Sequence, residues 1–397
     1  MHGDGIADGP LFAPLTLPGE TVSGTRQDDT LDDVRVVTPS SDRVAAPCRH
    51  FKSCGGCKLQ HASDDFVAEW KVDVVRSALL SHGLETDFRP IQTSPQASRR
   101  RATFAARRTK KGAMAGFFKR GSDVIIEVPD CQLLLPELMA GLDVARELAI
   151  IGTSRKAALA VTVTSSSNGL DVAVTQGKPL DGPLRMTLAQ LCERLGLARL
   201  SWEDEVIAMR LSPSHQFGGA DVLPPPGAFL QATHHGEAAL LHAVQEALGE
   251  ATQVADLFAG VGTFALPLAE TARVHAVEGE SEMTAALDQG WRMAKGLKPV
   301  TTETRDLFRR PLLPDEMKGL DGIVIDPPRA GAERQVAEIC KAMVPKIASV
   351  SCNPVTFARD ARMMVEAGYT MAWVQVVDQF RWSSHIELAA CFTHQGD

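Results

Sequence analysis

No run of about 18 consecutive apolar residues occurs in the 397-residue chain, so a membrane-spanning helix is not expected. Its opening, Met1 to Pro10, is polar and glycine-rich, without the basic and apolar regions of a secretion signal. A cytoplasmic protein is the expectation. The eight cysteines then point to ligands, catalysis or buried fillers rather than disulfides. Internal repeats and low-complexity tracts are also missing. So is an excess of positive charge: 41 Lys+Arg against 49 Asp+Glu leave a net −8, which argues against whole-surface attraction for a polyanion. The length exceeds one ordinary core and predicts two or three domains, and 44% hydrophobic with 23% charged residues suits a soluble fold.

A nucleic-acid partner therefore needs a local basic patch. Arg99, Arg100, Arg101, Arg107, Arg108, Lys110, Lys111, Lys119 and Arg120 supply one, with no acid among them and Phe104, Phe117 and Phe118 interleaved. Such a stretch can pair with phosphates and offer stacking faces to bases. The plainer reading carries equal weight: a solvated strand pair whose phenylalanines face a core.

Residues 1–46 read as short strands between turns, at Glu20–Ser23 and Asp32–Thr38. Phe66, Trp70, Val74, Val75 and Ala78 mark one stripe of a helix over Phe66–Leu80. Residues 99–230 look mostly β, with Val124–Val128, Ala158–Thr164 and Leu170–Thr175 as strands. From Ala232 the rhythm alternates: a helix at Gly236–Leu248, then apolar runs at Val254–Ala259, Val274–Val277, Gly322–Ile325, Ile347–Ser351, Met371–Val377 and Ile386–Phe392. That alternation predicts an α/β domain with a parallel sheet covered by helices on both faces.

Several motifs sit at the ends of these runs. Asp256-Leu257-Phe258-Ala259-Gly260-Val261-Gly262-Thr263-Phe264 ends a strand and opens a helix, where Gly260 and Gly262 permit close approach to a ligand and the helix start offers free N–H groups. Glu278 ends the next strand about 20 residues on, where a ribose diol would sit. The third glycine of a dinucleotide fingerprint is absent, which favours S-adenosylmethionine. Asp326-Pro327-Pro328-Arg329 follows another strand, so Asp326 would face both cofactor and substrate at the carboxyl edge of the sheet. Ser351-Cys352-Asn353-Pro354 puts a soft nucleophile at that edge, suited to adding to C6 of a pyrimidine. Glu387, in His385-Ile386-Glu387, could remove the C5 proton after methyl transfer. Taken singly, each has a bland reading: a structural turn, a strand-ending turn, a buried cysteine, a surface carboxylate.

Cys48, Cys54 and Cys57, the last two joined by Gly55-Gly56, can wrap one metal centre, with Cys131 the best candidate for a fourth ligand. Four thiolates suit a [4Fe–4S] cluster or a zinc ion. Zinc sites usually pair ligands as two close couples, and no second couple lies near Cys131, so iron–sulfur is favoured. Cys192, Cys340 and Cys391 stand in apolar stretches and read as core fillers.

Together these motifs resemble the bacterial uracil-5 methyltransferases of 23S ribosomal RNA over nearly the whole chain. The resemblance implies a Rossmann-like S-adenosylmethionine methyltransferase domain, a mostly β central domain and a short TRAM or OB-like N-terminal segment, the last through Leu17-Pro18-Gly19-Glu20 and Ser41-Asp42-Arg43. The implied boundaries are 1–46 for the N-terminal segment, 47–59 with 92–230 for the iron–sulfur and RNA-binding domain, and 60–91 with 231–397 for the methyltransferase domain. By the same resemblance Gln231, Phe258, Thr263, Glu278, Asp306 and Asp326 contact the cofactor, Cys352 is the nucleophile, Glu387 the base, and Cys48, Cys54, Cys57 and Cys131 hold a [4Fe–4S] cluster. Phe229, beside Gln231, is the candidate stacking partner of a flipped uridine, and Arg100 and Arg101 the candidate RNA contacts. Where the family's glycine-rich loop reads Cys-Gly, this chain has Ala259-Gly260. RNA, most readily 23S rRNA, is the expected partner, and a monomer the expected state. The rivals are a methyltransferase of exocyclic amines, which needs no nucleophilic cysteine, and a non-catalytic RNA-binding protein.

Overall fold

The computed structural model describes residues 3–9 and 11–394. At the N-terminus, β1 (Gly5–Ala7), β2 (Leu11–Ala13), β3 (Thr21–Gln27) and β4 (Thr30–Thr38) form an open sheet in the order β1-β2-β4-β3. It buries few side chains of its own and leans on the segment that follows: Leu17 packs with Leu59, Ala62 and Val67. Glu20 pins the connection. Its carboxylate takes the Arg43 guanidinium and the N–H groups of Leu17 and Ser40, and Arg43 above all holds its pKa down at about 2.

Helix α1 (Asp64–Leu80) is capped by Ser63, whose hydroxyl accepts the Phe66 N–H, and carries Asp64 and Asp65 in its first turn where they meet the positive end of the helix dipole. Its buried stripe is Val67, Lys71, Val74, Val75, Ala78 and Leu79. The chain then runs through β5 (Asp87–Thr93) into a seven-stranded sheet built from β6 (Arg101–Arg108), β7 (Ala113–Phe118), β8 (Ile125–Ile126), β9 (Leu159–Ser166), β10 (Gly169–Thr175), β11 (Arg199–Trp202) and β12 (Glu205–Met209). Two helices missing from the sequence-based expectation, α2 (Ala140–Gly152) and α3 (Gly182–Arg194), share its core.

A hairpin of β13 (His215–Phe217) and β14 (Ala220–Val222) leads into the C-terminal half, where Phe217, Ala220 and Val222 join the core beneath α4 (His234–Leu248). There follow β15 (Gln253–Leu257), α5 (Ala265–Leu268), β16 (Arg273–Glu278), α6 (Ser281–Met293), β17 (Val300–Thr304), β18 (Gly322–Ile325), α7 (Glu333–Ala342), β19 (Lys346–Ser351), α8 (Pro354–Glu366), β20 (Thr370–Asp378) and β21 (Glu387–Thr393). These strands and β5 make an eight-stranded sheet in the order β17-β16-β15-β18-β19-β21-β20-β5, with one apolar core on each face. Strands β15 to β19 pair in parallel, and the buried runs of the inner strands β15, β18 and β19 suit strands covered on both sides, while β17 at the edge is mostly polar. The sheet departs from the all-parallel expectation at β21, which is antiparallel to both β19 and β20. The eight residues between β20 and β21 reverse the chain directly, without a crossover helix.

The basic run divides on folding. Arg108, Lys110, Lys111 and Lys119 are exposed, and of the three phenylalanines Phe118 faces out while Phe104 is fully buried. Arg100, expected to contact RNA, is only 1% exposed. Its Nε donates to the Gln231 carbonyl at 2.9 Å, its guanidinium meets His234 Nδ1 at 2.9 Å and pairs with Glu237. Arg101 is half-buried and donates to the Gly227 carbonyl at 2.8 Å. Both therefore tie the seven-stranded sheet to the segment entering α4 rather than presenting charge to a phosphate. Arg100→Met should strand the Glu237 carboxylate and lower stability by about 3–5 kcal/mol in urea denaturation. Lys110→Glu with Lys111→Glu should leave stability within about 0.5 kcal/mol. A native-like Arg100→Met protein would show that the buried pair is not a structural tie.

Candidate active site

The sequence makes a sharp turn after β15. Phe258 adopts φ 64°, a left-handed conformation costly for an aromatic residue, and Gly262 follows at φ 95° with Leu266 and Leu287 2.9 Å from where a Cβ would stand. Glu278, at the end of β16, locks this loop: one carboxylate oxygen accepts the Gly260 N–H at 2.9 Å and the other the Glu280 N–H at 2.9 Å. Phe258 is half-buried with its ring 5.4 Å from that of Phe308, which is 41% exposed. Asp306 lies exposed just before, its carboxylate accepting the N–H groups of Phe308 and Arg309. Gly260, Gly262, Thr263, Glu278 and Asp306 thus line the carboxyl ends of adjacent parallel strands, the usual ligand edge of an open α/β sheet. Asp256, at the head of the loop, is fully buried; neither carboxyl oxygen closes a hydrogen bond of ordinary geometry, and burial, then Asp326, push its pKa well up.

Asp326 follows β18, and its N–H donates to the Leu257 carbonyl at 3.2 Å, so it stands beside Phe258. The turn after it is bound to the turn after β19: Asn353 Nδ2 and Thr356 Oγ1 donate to the Arg329 carbonyl at 2.8 and 3.2 Å. Asn353 also caps α8 by accepting the Val355 N–H, with Pro354 at the first helical position. Cys352 is held between that cap and the end of β19. Register then brings in Glu387. Ser351 pairs with Leu388 across β19 and β21, and one further step sets Cys352 opposite Glu387. The electrostatics agree with this crowding. Burial first, then Glu387 and Asp326, push the Cys352 thiol up to about 11, against a smaller lowering by Arg329. Burial followed by Asp326 raises Glu387, and burial raises Asp326.

Gln231 is 2% exposed, and its side-chain oxygen accepts from Gln379 Nε2 at 2.6 Å. Gln379 Nε2 also donates to Glu387 Oε2 at 3.1 Å, while its own carbonyl accepts the Ala232 N–H at 2.7 Å. Phe229, two residues before Gln231, is 58% exposed and available to stack. Lys71, from α1, is fully buried beneath the β20–β21 loop; its Nζ reaches Asp378 at 2.6 Å and the carbonyls of Phe380 and His385 at 3.3 and 2.9 Å. Sequence reading missed both Gln379 and Lys71. A lysine inside an apolar helical stripe and a glutamine directly after an apolar strand were the available signals.

Cys48, Cys54, Cys57 and Cys131 line one cavity of about 370 Å³ that also includes Arg99, Ser383 and His385. Gly55 makes the tight approach possible, since a Cβ there would lie 2.7 Å from the Phe118 carbonyl, to which its own N–H donates. The lobes carrying Cys54 and Cys131 are joined by Asp130, which meets Arg49 and His50 at 3.0 Å each. The Lys58 and Leu59 N–H groups donate to the Trp382 carbonyl, hanging the β20–β21 loop on the cysteine segment. Among the described residues, no group of three or more His, Cys, Asp or Glu is placed so that it could hold a metal ion. Cys192 and Cys391 are buried in cores and Cys340 packs half-buried against one, as expected of fillers. No helix among the described residues is long and apolar enough to cross a membrane.

The family model for tRNA (uracil-5-)-methyltransferases matches residues 292–395, the stretch that carries Asp326, Cys352 and Glu387. An uncharacterized RNA methyltransferase of Mesorhizobium japonicum is 46% identical over 98% of this chain and 95% of its own length. One of Brucella suis is 43% identical over the same shares. The 23S rRNA (uracil(1939)-C(5))-methyltransferase RlmD of Halomonas elongata is 31% identical over 99% of this chain and 87% of its own. The crystal structure of Pyrococcus abyssi tRNA (uracil-54, C5)-methyltransferase in complex with S-adenosyl-L-homocysteine has the same fold, with a TM-score of 0.76 across 98% of this chain and 96% of that one at 22% identity. The doubly wound sheet is accordingly a Rossmann-like methyltransferase fold, and full-length identity above 30% shows that the chain belongs to the RNA (uracil-5-)-methyltransferase family.

Proposed function

We propose that this protein transfers the methyl group of S-adenosylmethionine to C5 of a uridine in 23S rRNA through a covalent adduct between Cys352 and C6. The observation that carries the reading is the register of β19 and β21, which sets Cys352 and Glu387 side by side, next to Asp326. Methyl donor and RNA are the two substrates. Gln231, Phe258, Gly260, Gly262, Thr263, Glu278, Asp306 and Asp326 hold the donor, with Glu278 toward the ribose. Phe229 stacks on the uracil once it leaves its helix. The rRNA assignment draws on the Halomonas elongata relative and on the cysteine set. Residues 1–46, 47–59 with 92–230, and 60–91 with 231–397 serve as three domains of a cytoplasmic enzyme.

As a thiolate, Cys352 adds to C6, and the electron pair of the C5–C6 bond moves onto the O4 enolate. C5 then attacks the methyl carbon, whose bond to sulfur breaks to leave S-adenosylhomocysteine. Glu387 takes the proton from C5, the C5–C6 double bond re-forms and the Cys352 thiolate leaves. Addition and release thus use different residues, and the variants should separate. Cys352→Ala should bind RNA yet give neither adduct nor product. Glu387→Gln should add and methylate, then release about 10²- to 10⁴-fold more slowly, leaving an RNA–protein adduct on a denaturing gel. Full turnover by Cys352→Ala would reject the covalent route and favour methylation of an exocyclic amine.

Cys48, Cys54, Cys57 and Cys131 are the proposed ligands of a [4Fe–4S] cluster. All four cysteines line one cavity, and four thiolates are the usual ligand set of such a cluster. When bound, the cluster would supply structural cross-linking of the segments around it, a contribution to folding rather than electron transfer. Anaerobically purified protein should contain about four irons per chain, and Cys131→Ser should lower iron content and soluble yield together. Stoichiometric zinc with no iron would overturn the assignment.

A further inference from the structure

We propose that Gln379 is the residue that positions Glu387 for removal of the C5 proton, and that it ties this step to the methyl-donor side of the site through Gln231. The inference rests on the reading of Glu387 as the base. Hydrogen bonding fixes the orientation of the Gln379 amide. The side-chain carbonyl of Gln379 is committed to the Ala232 N–H at 2.7 Å, which fixes which way the amide points. Its NH2 group must then face the other two partners, Gln231 Oε1 at 2.6 Å and Glu387 Oε2 at 3.1 Å. Both contacts are buried, with Gln379 at 2% and Glu387 at 3% exposure, so water does not readily replace either. A base that must accept a proton from carbon needs one oxygen aimed at that carbon in ionised form. A donor fastened to the other oxygen does both jobs: it stops rotation of the carboxylate and favours its charge. Among the groups acting on Glu387, burial and Asp326 disfavour the charge, and Gln379 opposes them.

Gln379 is itself held by the loop around it. Lys71 grips Asp378 on one side and the Phe380 and His385 carbonyls on the other, so both ends of the segment bearing Gln379 and leading into Glu387 hang on one buried ammonium group. The backbone around Gln379 is thereby fixed before any substrate arrives, as a positioning role requires.

The test is a single-turnover time course with S-adenosylmethionine and methyl-accepting RNA, scoring adduct on denaturing gels and released methylated RNA separately. Gln379→Met keeps the volume and removes the hydrogen bonds. Gln379→Glu keeps the acceptor for Ala232 and exchanges the donors for a carboxylate oxygen that repels Glu387, and it covers the case in which the methionine variant folds poorly. In both, adduct should form within about threefold of the wild-type rate while release slows roughly ten- to hundredfold, so that adduct accumulates. Glu387→Gln runs in parallel. If it traps adduct while both Gln379 variants release at the wild-type rate, or slow addition and release equally, the positioning role is overturned and the base assignment stands. If Glu387→Gln itself releases product at the wild-type rate, the base assignment falls and the inference with it.

Discussion

The register between β19 and β21 is the constraint on which the site depends. Parallel strands alone would bring Cys352, Asp326 and the Phe258 loop to one edge, because each follows the carboxyl end of its own strand. Glu387 begins its strand and could not reach that edge if β21 ran with the others. Antiparallel insertion between β19 and β20 puts the start of β21 where the neighbouring strands end, and the pairing of Ser351 with Leu388 fixes the step along the strand. Since side chains alternate faces, a slip of one residue would turn Glu387 to the other side of the sheet.

This concentration of acid has a physical cost that the surroundings answer. After burial, Asp326 is what raises both Asp256 and Glu387, and Glu387 and Asp326 raise the Cys352 thiol. The counterweights are specific. Glu278 carries two backbone N–H donors, Arg329 favours the thiolate, and Gln379 donates to Glu387. The same loop is gripped from below by Lys71 and from the side by the Lys58 and Leu59 N–H groups at Trp382. The cysteine-lined cavity, with Ser383 and His385 in its wall, therefore adjoins the loop that delivers the proposed base.

Much of this was legible in the sequence because it sits at strand ends. Apolar runs followed by Asp326-Pro327, Cys352-Asn353 or a glycine turn state their edge of the sheet through local chemistry: proline stops, caps and turns. What local pattern could not state was direction and burial. Nothing in Glu387–Thr393 distinguishes an antiparallel strand from a parallel one, so the sheet was expected to be parallel throughout. The helices Ala140–Gly152 and Gly182–Arg194 were lost in a stretch judged by its strands. Arg100 failed for a different reason. In a basic run every arginine looks solvated until its partners are known, and those partners, Gln231, His234 and Glu237, lie more than a hundred residues away. Gln379 and Lys71 gave only a local hint each, because their roles are defined by contacts that the local pattern does not state.

RNA carrying 5-fluorouridine at the target position shows whether Cys352 bonds to the base it modifies. Fluorine cannot leave C5 as a proton does, so addition and methyl transfer should proceed and release should stop. Digestion and mass spectrometry of the trapped complex should then find the methylated fluorouridine on the peptide containing Cys352. A crosslink on any other residue, or no crosslink from a preparation that methylates ordinary RNA at full rate, would contradict the account.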